Sequence, residues 1–317
     1  MNRVLRTILL LTLLAGAVGS LNVQGQSDDA RPRVRTVSIP ISIFTKQELK
    51  EDRLQEYLQL ERLIVREDNE EQQILSIRNI EDAPLSLAVL IQDDLGSGFN
   101  LQIRDLKRFI TSLPRGSRVM VAYLRGGSPQ IRQRFTTDLE RAAETIRIVS
   151  SSNATAPRSP FDGVVDILER FDALPAGRRA ILLVSDGLDL SNGLSGASPG
   201  QSPELDRAIL RAQRRSVAIF SIYTPSSSNP RENPTLSLYG QGNLLKLSDD
   251  TGGRAFFQGS TAPVSFDPFF RDLNLLLTRQ FLLTYLSTHM KKGYYKVQVS
   301  STNPEVKIEH PRGYYYR

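Results

Sequence analysis

The stretch LSLAVLIQDDLGSG, residues 85–98, decides the fold class. Residues 85–91 form a near-continuous apolar run, which is typical of a strand covered on both faces of a parallel sheet. The stretch ILLVSDGLD, residues 181–189, has the same form, a short apolar run followed by an acidic turn. Ligands of open α/β sheets bind outside the carboxyl ends of the strands, so both acidic turns are expected at one rim.

Helical and strand patterns alternate around these two strands. Strand patterns also occur at 119–124 and 217–223, and helical spacing of apolar residues occurs at 101–113, 137–149, 161–171 and 203–214. This alternation predicts parallel strands joined by right-handed helical crossovers, and hence a doubly wound, mainly parallel α/β sheet. The segments 191–203 and 224–242 are rich in Ser, Pro, Asn and Gly and are predicted to be loops.

Both ends of the globular part carry strand patterns. Branched residues alternate over 37–43, where Pro40 hints at an edge position, and a hairpin pattern follows with its turn at 68–69. After a helical pattern at 267–278, the chain is β-rich from 281 to 310. The predicted domains are an N-terminal β subdomain at 34–80, an α/β domain at 81–280 and a C-terminal β tail at 281–317.

The first residues have the pattern of a targeting segment. Arg3 and Arg6 precede an apolar run at 8–18, and small residues follow up to the cleavage pattern VQG at 23–25. This predicts a signal peptide over 1–25 and a disordered leader over 26–33. The run is shorter than the roughly 20 residues that cross a bilayer, and the chain has no Cys for a lipid anchor. We therefore expect an exported protein, periplasmic or secreted, with no transmembrane segment after cleavage.

Composition excludes several classes of protein. The 317 residues are 40% hydrophobic and 23% charged, as in a globular protein, and the absence of Cys excludes disulfides. The net charge of +6 includes Arg3 and Arg6, and acidic residues are interleaved with the basic ones. No dense basic run is present, so we expect no nucleic-acid partner.

Patterns of catalytic residues are missing as well. The two histidines, His289 and His310, lie in the β-rich tail without a neighbouring acid and serine pattern. Neither a phosphate-binding loop nor a His-Glu-x-x-His pair occurs, and the glycines at 240 and 242 lack the third glycine of a dinucleotide fingerprint. We predict that the chain is not an enzyme, and a metal-assisted hydrolase is the least favoured alternative.

The two acidic turns resemble those of the von Willebrand factor A superfamily, whose first strand ends in Asp-x-Ser-x-Ser and whose fourth ends in an Asp-Gly turn. The motifs EDAPLS at 81–86, DDTGGRAFF at 249–257 and PRGYYY at 311–316 are similar to those of the bacterial group called VWFA-related domain proteins. The resemblance implies a signal peptide, an N-terminal β segment, a von Willebrand factor A-like domain and a short β tail.

The resemblance also implies a metal ion-dependent adhesion site, here in a degenerate form. Asp93 and Ser97 match the first and third positions of the motif, Leu95 stands at the second, and Asp186 matches the remaining acid. Such a site holds Mg²⁺ or Mn²⁺ with oxygen ligands and accepts a carboxylate from the partner. With a hydroxyl missing at Leu95, we expect weak binding of the ion.

The family's threonine marks a second lost ligand. When Phe161-Asp162 is aligned with the start of the family's third helix, the threonine position falls at Arg158. Ser159 or Thr155 could replace the threonine only after a shift in register. Two hypotheses remain open for this position.

In the first hypothesis, a weak ion site is retained at Asp93, Ser97 and Asp186. In the second, the Arg158 guanidinium occupies the place of the cation and pairs with Asp93 or Asp186, because its planar fork of donors suits carboxylates. Asp94 and Asp189 are interpreted as solvated loop acids.

The functional expectation is an exported, adhesion-type protein-interaction module. It would bind a macromolecular partner through the rim formed by residues 93–98, 155–160 and 186–198. The alternative is a structural or assembly component of a cell-envelope complex, in which the rim is inert and the β segments at both ends make the contacts. Neither the partner nor the oligomeric state is indicated by the sequence.

Overall fold

The structure is a computed structural model that describes residues 34–45, 63–78, 84–149, 159–175, 177–227, 234–259 and 261–316. The predicted signal peptide and leader, together with Thr155 and Arg158, lie outside the described residues. None of the helices in the described part of the chain combines the length and the apolar composition that crossing a bilayer requires.

Thirteen strands are described, and they form two sheets. They are β1 (Arg35–Thr45), β2 (Leu63–Glu67), β3 (Glu70–Arg78), β4 (Leu85–Gln92), β5 (Arg118–Arg125), β6 (Ser128–Thr136), β7 (Arg178–Ser185), β8 (Val217–Tyr223), β9 (Ala255–Phe256), β10 (Gln280–Ser287), β11 (Gly293–Ser301), β12 (Val306–Glu309) and β13 (Gly313–Tyr316).

The first sheet has six strands in the order β6-β5-β4-β7-β8-β9. All neighbours in it are parallel except β5 and β6, which are antiparallel. The prediction of an α/β protein with a sheet containing parallel strands is confirmed. Strand order reverses at β4, which has the next strand of the chain on one side and β7 on the other.

Seven α-helices are described. They are α1 (Ile103–Thr111), α2 (Leu139–Glu144), α3 (Pro160–Leu168), α4 (Gly193–Gly196), α5 (Pro203–Arg214), α6 (Pro234–Thr251) and α7 (Asp267–Thr278). Short 3-10 helices at Ser97–Gln102 and Glu169–Ala173 precede α1 and follow α3.

Apolar side chains fill both faces of the six-stranded sheet. On one face Leu87 and Val89 of β4 pack with residues of α1, α2 and α7, and on the other face Ala88 and Leu90 pack with residues of α3, α5 and α6. Because a strand alternates its side chains between faces, a strand covered on both sides must be apolar at nearly every position. This explains the run over residues 85–91.

The second sheet joins the two ends of the described chain. Its seven strands are antiparallel in the order β12-β1-β10-β3-β2-β11-β13. The β segments predicted at the two ends thus pair with each other in one sheet, around their own apolar core. Strand β12 pairs only with residues 42–45 of β1, so Pro40 lies in a part of β1 that is paired on one side only.

A buried arginine connects the two sheets. Arg178, the first residue of β7, is 1% exposed, and its Nη1 donates to the carbonyl oxygens of Leu277 at 2.6 Å and Gln280 at 3.3 Å. These carbonyls lie at the end of α7 and the start of β10, where a helix carries partial negative charge. Burial lowers the pKa of the Arg178 guanidinium to about 10.

Four sequence-based assignments differ from the structure, and the smallest difference is the single helical turn α4 within the loop predicted over 191–203. The edge strand β6 was not predicted, and the helix expected over 137–149 is only the short α2. The loop expected over 224–242 is also wrong in its second half, because α6 begins at Pro234 and contains Gly240 and Gly242. Glycine lowers helix propensity, but tertiary packing overrides it at this position.

Candidate functional site

The two acidic turns lie at the same edge of the six-stranded sheet. Strands β4 and β7 are parallel neighbours in which Ile91 pairs with Val184, and Asp93 and Asp186 each follow within two residues of that pair. The Gln92 side chain links the two turns, since its Oε1 accepts hydrogen bonds from the Ser185 hydroxyl and from the Asp186 main-chain nitrogen. The structure therefore brings Asp93 and Asp186 to one rim.

Asp93 forms an ion pair with an arginine that the sequence did not single out. Arg147 Nη2 lies 2.8 Å from Oδ1 and 2.9 Å from Oδ2 of Asp93. The Asp93 side chain is 13% exposed and the Arg147 side chain 34%. The sequence-based hypothesis placed the guanidinium of Arg158 beside Asp93 or Asp186, and Arg158 lies outside the described residues. The arginine observed at Asp93 is Arg147.

Tyr123, near the end of β5, holds Arg147 in place. Its hydroxyl accepts a hydrogen bond from the Arg147 main-chain nitrogen at 2.7 Å and donates one to the Arg147 carbonyl oxygen at 2.9 Å. The guanidinium carbon lies 4.3 Å from the centroid of the Tyr123 ring, in cation-π geometry. Burial raises the pKa of the Tyr123 hydroxyl.

Leu95 and Ser97, the second and third positions of the motif in the predicted ion site, lie in different surroundings. Leu95 is fully buried in the apolar core and forms a β-bridge with Ser226. Ser97 is exposed at the start of the 3-10 helix. The second position of the motif therefore supplies packing, and the third lies at the surface.

Asp186 is buried, and its carboxylate is held by neutral donors. It accepts hydrogen bonds from the Leu188 main-chain nitrogen at 3.0 Å and from the side chains of Ser226 and Gln92. Burial raises the pKa of the Asp186 carboxyl to about 6, and the nearby charge of Asp94 adds to this effect. These hydrogen bonds act in the opposite direction, because they favour the ionised form.

The Asp-Gly turn is shaped by contact with α6. Gly187 has a φ of +67°, and a Cβ on Gly240 would lie 2.0 Å from the Asp186 carbonyl oxygen. Asn243, one turn further along α6, donates to the carbonyl oxygens of Gly187 and Ala197, both at 2.9 Å. The helix can therefore approach the turn only because residue 240 has no side chain.

Asp94 and Asp189 are the other two acids of the acidic turns, and their surroundings differ from each other. The interpretation of Asp189 as solvated is wrong: it is 1% exposed, and its carboxylate accepts hydrogen bonds from the Ser191 and Ser202 hydroxyls, both at 2.6 Å. Ser202 also caps α5 by accepting from the Leu205 nitrogen. Asp94 is half-buried, and its carbonyl oxygen accepts from the Ser227 nitrogen.

These residues do not fit a Mg²⁺ or Mn²⁺ ion. Such an ion needs about six oxygens in near-octahedral geometry. Here both carboxylate oxygens of Asp93 face the Arg147 guanidinium, and Leu95 offers no oxygen. A cation next to Asp93 would therefore have to displace a charge that is already in place.

Comparisons with known proteins concern the fold. The sequence matches no protein-family model and no curated protein. Among solved structures, the chain is similar to the conserved hypothetical protein BatB from Bacteroides thetaiotaomicron, with a TM-score of 0.42 and 11% identity over 61% of this chain and 97% of that one.

Two further matches are von Willebrand factor A domains. The SpRpn10 VWA domain has a TM-score of 0.39 and 14% identity, over 59% of this chain and 92% of that one. The von Willebrand factor type A protein from Catenulispora acidiphila has a TM-score of 0.41 and 10% identity, over 89% of this chain and 74% of that one. The solved structures to which the chain is similar thus include von Willebrand factor A domains.

The structure also brings together side chains that resemble a catalytic group. Ser287 and His289 lie beside Glu67, which the sequence analysis did not associate with them because it lies 220 residues before Ser287 in the chain. In a triad, the imidazole stands between serine and acid. Here the Ser287 hydroxyl donates directly to Glu67, both residues are fully buried, and His289 Nε2 faces Glu70 at 3.7 Å. The arrangement does not present a nucleophile.

Proposed function

We propose that this chain is an exported protein-interaction module with a doubly wound, von Willebrand factor A-like domain. It binds a macromolecular partner through a revised rim of residues 93–98, 147–149 and 186–198, in which 147–149 take the place of the segment 155–160 expected from the sequence. The observation that carries the proposal is the partly exposed Asp93–Arg147 ion pair at the carboxyl edge of β4, where strand order reverses. Open α/β sheets bind ligands at this place.

The role is proposed to be binding without catalysis and without a required metal. Arg147 supplies the positive charge that a cation would bring, and those of its five N–H donors that do not contact Asp93 or the Ile148 carbonyl oxygen can bind a carboxylate of a partner. The competing proposal, weak binding of Mg²⁺ or Mn²⁺ at Asp93, Ser97 and Asp186, requires the ion to displace the Arg147 guanidinium from Asp93. Export is proposed from the charged and apolar pattern of residues 1–25, and cell fractionation with sequencing of the mature amino terminus tests it.

An alternative function has an observation of its own. The seven-stranded sheet exposes large apolar side chains, since Leu75 of β3 is 48% exposed and Tyr294 of β11 is 50% exposed. If the protein is an assembly component of an envelope complex, these side chains make the contacts and the rim does not.

A capture experiment separates the two functions. The full-length protein is used to capture partners from an envelope extract of the organism that encodes it, with quantitative mass spectrometry as readout. The rim variant is Arg147→Gln with Ser97→Arg, and the sheet variant is Leu75→Ser with Tyr294→Ser. Loss of the same partners in the rim variant alone supports the proposal. Loss in the sheet variant alone supports the alternative, and equal capture by both variants excludes both surfaces.

A further inference from the structure

Three exposed aliphatic side chains lie on adjoining segments, one of which also carries Arg147. Leu101 is 79% exposed, Ile148 67% and Val264 89%. We refer to these three residues as the aliphatic cluster. Single exposed apolar residues are ordinary, but several on adjoining segments mark interaction sites.

The first link within the cluster is made by Asn100. Its Oδ1 accepts a hydrogen bond from the Val149 main-chain nitrogen at 2.9 Å, and its Nδ2 donates to the Val149 carbonyl oxygen at 3.4 Å. Asn100 precedes Leu101, and Val149 follows Ile148. The two amide contacts therefore hold the backbones that carry Leu101 and Ile148 side by side.

The second link is made by Gln102 on the other side of Leu101. Gln102 is 3% exposed, its Nε2 donates to the Val264 carbonyl oxygen at 3.1 Å, and its Oε1 accepts from the Phe266 nitrogen at 3.0 Å. The buried Gln102 amide thus fixes the backbone at the exposed residue Val264. Because these segments are already ordered, a partner loses less conformational entropy when it binds them.

Two basic side chains adjoin the cluster. Arg104 of α1 is exposed and lies three residues after Leu101 of the preceding 3-10 helix, and Arg147 directly precedes Ile148. An acidic partner is therefore favoured at this surface.

We propose that the aliphatic cluster, with Arg104 and Arg147, binds a protein segment in which aliphatic side chains lie next to carboxylates. This inference rests on the proposed function and names the chemistry of its partner. Aliphatic side chains of the segment cover Leu101, Ile148 and Val264, and its carboxylates pair with the two guanidinium groups.

A protein segment fits this surface better than an anionic membrane. The Arg147 guanidinium is oriented by Asp93 and by the Ile148 carbonyl oxygen, which Nη1 contacts at 2.8 Å. With these contacts made, the remaining N–H groups of Arg147 point in one fixed direction, which suits a single carboxylate in one geometry. Membrane surfaces are bound by long amphipathic helices or by clusters of four to eight basic residues, whereas the proposed site uses two arginines.

The experiment uses a random peptide library as its probe. The library is selected on the immobilised full-length protein and on the variant Leu101→Ser with Ile148→Ser. The control variant is Leu75→Ser with Leu245→Ser, which removes the same number of exposed leucine-sized side chains elsewhere. Enriched peptides are then measured in solution by fluorescence anisotropy, and vesicles with and without phosphatidylserine are tested by sedimentation.

The expected result is enrichment of peptides that combine Asp or Glu with Leu, Ile or Val. Their affinity falls about tenfold or more in the cluster variant, as expected when aliphatic burial is lost, and changes by about twofold or less in the control. Arg104→Gln and Arg147→Gln also weaken binding, and added salt weakens it in the wild type.

Several outcomes overturn the inference. These are no enrichment of acidic and aliphatic peptides, equal binding by the cluster variant, or binding of phosphatidylserine vesicles that depends on the cluster without peptide binding. If capture from the extract still depends on the rim in such a case, the proposed function stands and only the partner chemistry is wrong. If capture is also independent of the rim, both fail.

Discussion

Arg147 Nη2 donates to both carboxylate oxygens of Asp93, and the main chain of Arg147 is fixed by the hydroxyl of Tyr123. The rim thus carries its own cation, supplied by a side chain that comes 54 residues after the acid. Because both partners are partly exposed, solvent screens the pair, and its effect on stability is modest while its effect on orientation is large.

Replacing Arg147 by Met is expected to lower the free energy of unfolding by about 1–2 kcal/mol. The loss combines a partly screened ion pair with the cation-π contact to Tyr123. Asp93→Asn should cost about 1 kcal/mol, and the double variant should cost less than the sum of the two. Urea denaturation measures all three. Arg141→Met, an exposed arginine on α2, serves as the control and should change stability by about 0.5 kcal/mol or less. Strictly additive effects at Arg147 and Asp93 would contradict the pairing.

Asp186 is expected to make stability depend on pH between about 4 and 6. Its carboxyl has a pKa of about 6 in the folded protein against an ordinary value of 3.8, so the folded state binds the proton more tightly. The stabilisation from the protonated form is therefore present below about pH 4 and is lost as pH rises through about 6. Between pH 4 and pH 7, the free energy of unfolding of Asp186→Asn should rise by on the order of 2–3 kcal/mol relative to that of the wild type.

Urea denaturation at several pH values measures this difference. Ser97→Ala, at an exposed hydroxyl of the same rim, is the control, and its difference from the wild type should not change with pH. A constant difference between Asp186→Asn and the wild type would show that the carboxyl is not desolvated in the folded protein.

Gly240→Ala is expected to destabilise the protein by more than about 2 kcal/mol, although alanine favours helices. The new Cβ would meet the Asp186 carbonyl oxygen at 2.0 Å, and neither the Asp-Gly turn nor α6 can move without losing its hydrogen bonds. Gly200→Ala has open space around the Cβ and should be close to neutral. Thermal unfolding compares the two. A stabilised Gly240→Ala would mean that α6 does not pack against the turn.

Calorimetric titration with Mg²⁺ and Mn²⁺ is expected to show no binding in the micromolar range. Arg147 already neutralises Asp93, and Leu95 supplies no ligand. In Arg147→Met the positive charge is gone, and any residual ion affinity should rise. Micromolar binding by the wild type that is abolished by Asp93→Ala would instead establish the ion site predicted from the resemblance.

Much of the fold follows from local sequence patterns. The runs at 85–91 and 181–184 require burial on both faces, and this requirement alone predicts central parallel strands and the position of the acidic turns after them. The hairpin around the turn at 68–69 was also predicted, and β2 and β3 pair as expected. The strand β6 was missed, although Ile131 and Phe135 alternate with Arg132 and Arg134, because its apolar positions are few.

The candidate site was predicted only in part. Asp93 and Asp186 were placed at one rim because parallel strands end at the same edge. Arg147 was not identified, since the pattern at 137–149 was interpreted as a continuous helix, and no local signal marks the end of α2 at Glu144. The aliphatic cluster was not predicted either, because exposure at Leu101 and Val264 depends on how distant segments pack.

The sequence by itself determined which strands are central, where the acidic turns follow them, and that the chain resembles the von Willebrand factor A superfamily. Each of these depends on residues that are close in the chain, where a side chain's burial or backbone conformation leaves a local pattern. Tertiary structure alone decided that Arg147 neutralises Asp93, that α6 closes over the Asp-Gly turn at Gly240, and that both ends of the described chain share one sheet. These contacts join residues 54 to more than 240 positions apart, and their free energy depends on packing that no local pattern encodes.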